Sequence, residues 1–228
     1  MPLRFAHAGD FHFDEDRYFT DTAQCLEWFV ADAIRASVDL FVINGDLTTY
    51  KATIRERNFW VDRLVETANL APVILVAGNH GAELEGDLYV FGRARGAHPI
   101  YVCTEPEFIE LGKAAVAVFP YPRKAVMAGN EHSPGGTFAR QLDEFNRRFD
   151  QRSGCYKLFF GHLGVASARV SSGQPLVGLP DFQYAGAGSV SCAQDGVALG
   201  DEAGGVGGMD GSLQAASLAD LKEGLING

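Results

Sequence analysis

The chain has 228 residues, a formal net charge of −10 and an apolar fraction of 46%. That length can bury a full core, and that composition excludes a chain disordered throughout. No apolar run approaches the ~20 residues of a membrane helix, and the acidic excess argues against a chain that grips nucleic acid tightly on its own.

Leu3-Arg4-Phe5-Ala6 reads as a first strand, and Met1-Pro2 before it leaves no room for a signal peptide. His7 on this strand reads as a packed or hydrogen-bonded residue. Asp10-Phe11-His12 follows. Thr20 to about Ala36 predicts a helix with Cys25, Trp28, Phe29 and Ala33 on one face. Asp39-Leu40-Phe41-Val42-Ile43 predicts a second strand, ending in Gly45-Asp46. Arg55 to about Ala68 predicts a helix with Phe59, Trp60, Leu64 and Ala68 as its apolar residues. Pro72 to Ala77 predicts a third strand, ending in Gly78-Asn79-His80.

His98 precedes Pro99 and reads as a turn residue. Pro99–Val102, Glu107–Leu111 and Ala114–Phe119 read as strands that give the second half of a layered sheet. Thr137 to Phe149 predicts a helix with Phe138, Leu142, Phe145 and Phe149 facing inward. Lys157-Leu158-Phe159-Phe160 predicts a strand that ends in Gly161-His162. From about Gly186 to Ser212 the chain is rich in Gly, Ala and Asp. Such a stretch cannot bury enough surface to offset its ordering entropy, so a mobile segment is expected. Ser217-Leu218-Ala219-Asp220 then has the spacing of a helix start, with Leu218, Leu221, Leu225 and Ile226 on a short amphipathic helix. The division expected is one α/β domain over 1–185 and a Gly-rich segment over 186–228. Cys25, Cys103, Cys155 and Cys192 lack C-x-x-C spacing and fit reduced, mostly buried cysteines of a cytoplasmic protein.

Four polar motifs thus stand each at the end of an apolar run. Buried parallel strands look like such runs, and open α/β sheets bind ligands beyond the carboxyl ends of their strands. The four strands are expected to deliver Asp10, His12, Asp46, Asn79, His80 and His162 to one edge. Hard oxygens and imidazoles together suit a pair of divalent cations. In an extended strand end, residues i and i+2 point the same way, so Asp10 and His12 can chelate one ion together. Asp46 has two oxygens and can bridge two ions. The glycines at 45, 78 and 161 let the backbone turn sharply and come close to a ligand.

The ordered set D-x-H, G-D, G-N-H and G-H over roughly residues 3–163 resembles the calcineurin-like metallophosphoesterases. Val38 to Thr48, Ala71 to His80 and Phe119-Pro120-Tyr121-Pro122 look more specifically like the SbcD-type DNA repair nuclease branch. Gly81 stands where the family usually has Asp. The resemblance implies a four-layer α/β/β/α sandwich with two mixed sheets. It implies two divalent ions, manganese being the ion expected, with Asp10 and His12 on the first, Asp46 bridging, and Asn79 and His162 on the second. His80 would sit beside the phosphate and protonate the leaving oxygen. The reaction implied is in-line attack of a hydroxide on a phosphorus ester, with DNA as one candidate substrate and an ATPase as one candidate partner.

The family's final G-H-x-H block has no counterpart, because the six histidines end at His162. Two local alignments stay open. Ser189 and Ser191 can stand where the two histidines belong, or Tyr184-Ala185-Gly186 with Ser189 can be the strand that follows a missing block. Either way each ion loses one imidazole, and Asp181, Asp195 and Asp201 are the candidates to replace it. Arg93/Arg95, Arg123/Lys124 and Arg147/Arg148/Arg152 read as solvated faces rather than a DNA-binding surface. A metal-dependent phosphodiesterase or DNA exonuclease is the reading expected. A small-molecule phosphatase or phosphodiesterase, and a non-catalytic metal- or phosphate-binding relative, are the alternatives.

Overall fold

Short apolar runs rich in Val, Ile and Phe pack well on a pleated surface, and here they become strands. The computed structural model describes residues 3–80, 87–121, 134–162 and 196–200. Their order is β1 (Phe5–Ala8), α1 (Phe19–Ala36), β2 (Leu40–Asn44), α2 (Ile54–Ala68), β3 (Val73–Val76), α3 (Asp87–Phe91), β4 (Ile100–Cys103), β5 (Glu107–Leu111), β6 (Ala114–Phe119), α4 (Pro134–Asp150), β7 (Tyr156–His162) and β8 (Gly196–Gly200). The chain forms two compact units that divide between Glu105 and Pro106. Each has its own four-stranded sheet, so the α/β class with two sheets is the one the chain adopts.

The first sheet has the order β1-β2-β3-β4 and is parallel throughout, not mixed as expected. Its central strands β2 and β3 are buried at every residue, which is why their sequences are apolar without alternation. The run at Pro99–Val102 joins this sheet as β4, pairing Ile100 with Val73, rather than the second one. The link over 77–99 contains α3 and is long enough for the crossover that parallel pairing requires.

Two helices cover this sheet. On α1 the buried residues are Leu26, Val30 and Ala33, while Cys25 is exposed and Trp28 is 64% exposed. Of the expected face, Phe29 and Ala33 meet the core and Cys25 and Trp28 do not: the buried stripe is shifted to Phe19, Ala23, Leu26, Val30 and Ala33, which also follow helical spacing. On α2 the buried Trp60, Leu64 and Ala68 pack as expected, in one cluster with Phe41, Ile43, Val73 and Leu75. The α2 start is fixed by a capping box between Thr53 and Glu56.

The second unit has the order β5-β6-β7-β8, antiparallel at both edges and parallel between β6 and β7. All of β6 is buried, and Leu142, Phe145 and Phe149 of α4 are buried as well. The Phe108 ring of β5 lies 4.9 Å from the Phe149 ring and under the Arg148 guanidinium at 4.2 Å. Phe138 lies outside the described side chains. The strand β8 stands in the Gly-rich stretch where the sequence predicts no element, because backbone pairing with β7 needs no large side chain. The C-terminal helix, Ser189, Ser191, Asp181, Asp195, Asp201, Gly81 and Cys192 lie outside the described residues. No helix among the described residues is long and apolar enough to cross a membrane.

Candidate metal centre

Five of the six candidate residues follow the carboxyl ends of adjacent parallel strands in the first unit. Asp10 and His12 follow β1, Asp46 follows β2, and Asn79 and His80 follow β3. Beyond the strands the first two loops stay together. Asp10 N–H donates to Gly45 O at 3.1 Å, His12 N–H to Asp46 O at 2.9 Å and Phe13 N–H to Leu47 O at 2.9 Å. Thr49 returns two bonds, from its N–H to Phe13 O and from its Oγ1 to His12 O, both at 3.0 Å.

The backbone at the site is not extended. Asp10, His12 and Asp46 have φ of 54°, 48° and 53°, all left-handed. The sequence predicts that Asp10 and His12 converge by strand alternation, but β1 ends at Ala8 and a left-handed turn aims them instead. Asp and His are among the residues that tolerate this region, at about 1 kcal/mol or more each. The loop-to-loop hydrogen bonds hold the conformation in place.

Asp46 links the three loops. Its side chain is 1% exposed, and its Oδ1 accepts the N–H groups of Asn79 and His80, both at 2.8 Å. Its Oδ2 lies 3.7 Å from His12 Nε2. That separation is too long for a hydrogen bond. Two donors each about 2.1 Å from one ion lie about 3 to 4 Å apart. One ligand atom from each of His12, Asp46 and His80 lies within 4.8 Å of the others. One carboxylate oxygen of Asp10 lies within the same distance of one of Asp46. Two imidazoles and buried carboxylates are a donor set that fits a divalent cation. The His12 side chain is 36% exposed, so solvent reaches one side of the cluster.

The family resemblance implies a place for His80 beside the phosphate rather than among the ligands. Its ring nevertheless meets the His12 ring edge-on, with centroids 4.6 Å apart. Asn79 is exposed, and its backbone N–H is what contacts Asp46. His162 ends β7 in the second unit, on a different sheet from the other three strands. It is buried, and its ring lies 6.3 Å from that of Tyr121.

The glycines differ in role. Gly45 turns the chain at φ 80°, as expected. A Cβ on Gly78 would lie 2.2 Å from Asp46 Oδ1, so only glycine leaves room for that carboxylate. Gly161 makes no turn; it sits within β7, opposite Phe119. Gly9 is a further close approach that the sequence reading misses, where a Cβ would lie 2.6 Å from Asn44 O. Glu56 is missed too, although Thr53-Ile54-Arg55-Glu56 carries the capping-box spacing that signals it.

Residues 3–182 match the family described as calcineurin-like phosphoesterase. No curated protein matches the chain.

Proposed function

The chain belongs to the calcineurin-like phosphoesterase family, and from that premise we propose that it hydrolyses phosphodiesters, with DNA ends as one substrate class. The observation that carries the reading is the meeting of His12, Asp46 and His80 at the carboxyl ends of adjacent parallel strands. Asp10, His12, Asp46 and Asn79 of the first unit are the ligands in this reading, and manganese is the ion. Two such ions would lower the pKa of a bound water and neutralise charge developing on the phosphoryl oxygens.

The chain's own groups do the rest. Asp46, held on Oδ1 by two N–H donors, presents its second oxygen in a fixed direction. His80, anchored through its N–H on the same oxygen, protonates the leaving oxygen in this reading. A proton donor so placed typically contributes about 10²- to 10⁴-fold.

The net charge of −10 supports a division of labour in which a partner, such as an ATPase, supplies the grip on DNA. Arg147 and Arg152 are ion-paired to Glu144 and Glu110, and Arg95 is bonded to carbonyl oxygens of its own turn. A second reading, a relative with weakened or lost turnover, is favoured by the absence of any histidine after His162.

The test is metal content after dialysis together with hydrolysis of a bis-aryl and a mono-aryl phosphate in manganese. Faster diester cleavage is expected. Preference for the monoester would replace the reading with a phosphatase. Stoichiometric metal without cleavage of either would favour the non-catalytic relative, and no metal at all would sink the metal centre itself.

A further inference from the structure

We propose that Glu56 is a positioning residue for the loop that carries Asp10 and His12, acting through the backbone N–H of Glu15. The proposal rests on the metal-centre reading above. Glu56 sits in the first turn of α2 and is only 3% exposed. Its Oε2 accepts the Thr53 N–H at 2.7 Å, which completes the capping box. Its Oε1 accepts the Glu15 N–H at 2.9 Å, from a residue 41 positions earlier in the chain. A capping box needs only the first bond. The second joins the helix start to the loop three residues past His12.

A carboxylate this buried is costly unless its oxygens are bonded. Both oxygens of Glu56 are bonded, one to the helix start and one to the loop. The same two turns of α2 hold the loop by packing. The Phe13 ring is 1% exposed and lies 5.1 Å from the Phe59 ring and 5.4 Å from Trp60. Phe11, between Asp10 and His12, meets Trp60 edge-on at 5.2 Å. Arg55 adds an ion pair to Glu15 at 3.8 Å and lies over the Phe19 ring at 4.0 Å. Left-handed non-glycine residues such as Asp10 and His12 persist only where the surroundings over-determine them. Glu56 is the buried polar part of that restraint, and the aromatic rings are the apolar part.

Three variants of the full chain separate this role from helix capping. Glu56→Ala removes both bonds, Glu56→Gln keeps an acceptor oxygen, and Thr53→Ala disturbs the cap while leaving the Glu15 bond in place. Two measurements apply: amide hydrogen exchange of residues 11–16 in chelator, and manganese affinity by calorimetry. Partners that orient ligands without touching the ion typically contribute about 10- to 100-fold in metal affinity. Glu56→Ala is expected to speed exchange across 11–16 and to weaken manganese binding by that factor. Glu56→Gln should restore part of both, and Thr53→Ala should lower the melting temperature with neither effect.

Unchanged exchange in Glu56→Ala overturns the proposal, as does a Thr53→Ala variant that reproduces the full loss. Where Glu56→Ala does not fold, the comparison of Glu56→Gln with Thr53→Ala decides. The proposal then fails if the two exchange alike across 11–16. A wild-type chain that binds no manganese would sink the metal-centre reading, while the exchange comparison would still decide the role of Glu56.

Discussion

The two oxygens of Asp46 have different surroundings: Oδ1 accepts two N–H groups, and Oδ2 lies toward His12. Asn in its place keeps one acceptor oxygen for the N–H pair but turns an NH₂ group toward His12, and an amide nitrogen does not ligate a cation. Asp46→Asn should therefore stay folded and lose manganese affinity by more than the about 10- to 100-fold of an outer-shell change. Calorimetric titration checks this, and an unchanged affinity and stoichiometry would remove Asp46 from the centre. His80→Ala should lower turnover by about 10²- to 10⁴-fold with metal content intact. Metal analysis beside the rate assay distinguishes the alternative that proximity to His12 and Asp46 suggests. Loss of metal would make His80 a ligand and would show that this chain departs from its family's assignment.

At the scale of the element, α1 shows how far periodicity reaches. Two overlapping stripes on this helix have apolar spacing, one with Cys25 and Trp28, the other with Leu26 and Val30. Apolar spacing along one helix does not say which stripe meets a sheet; the partner surface does. The consequence is measurable by urea denaturation. Leu26→Ala should cost about 2–5 kcal/mol, as buried large-to-small changes do. Trp28→Ala, at an exposed position, should stay within about 0.5 kcal/mol. Equal losses would mean that the helix packs by the other face. The loop that carries Asp10 and His12 follows the same logic, since its left-handed turns stand where β2's own loop runs beside it and α2 packs against it.

At the scale of the whole molecule, stability should depend on pH through His7. Burial lowers its imidazole from 6.5 to about 4, and its Nε2 is buried. The unfolded chain therefore takes up this proton near pH 6.5, while the folded chain does so only near pH 4. The contribution is complete above pH 6.5 and is lost as the pH falls from there toward 4, at up to about 1.4 kcal/mol per pH unit. Denaturation in chelator at pH 7.5, 6.0 and 5.0 should show this slope in the wild type and a flatter one in His7→Asn. Identical slopes would place the acid sensitivity elsewhere. The chelator is needed because bound metal would add its own pH dependence.

By itself the sequence determined most of the strands and helices, though not α3 or β8, together with the α/β class and the candidate ligand-type residues, because these are written locally as apolar runs, helical periods and polar motifs at strand ends. Asp10, His12, Asp46, Asn79 and His80 were all legible in this way, and so was the lack of a histidine beyond His162. The tertiary structure alone decided that β4 joins the first sheet, that α1 turns Trp28 outward, and that β8 completes the second sheet. It also decided how the candidate residues meet, through left-handed turns and one shared carboxylate rather than strand alternation. The physical reason is the same in each case. Which of several compatible faces, pairings or dihedrals is adopted depends on hydrogen-bond partners and packing surfaces supplied by residues distant in the chain, such as Glu56 for Glu15 and Gly45 for Asp10.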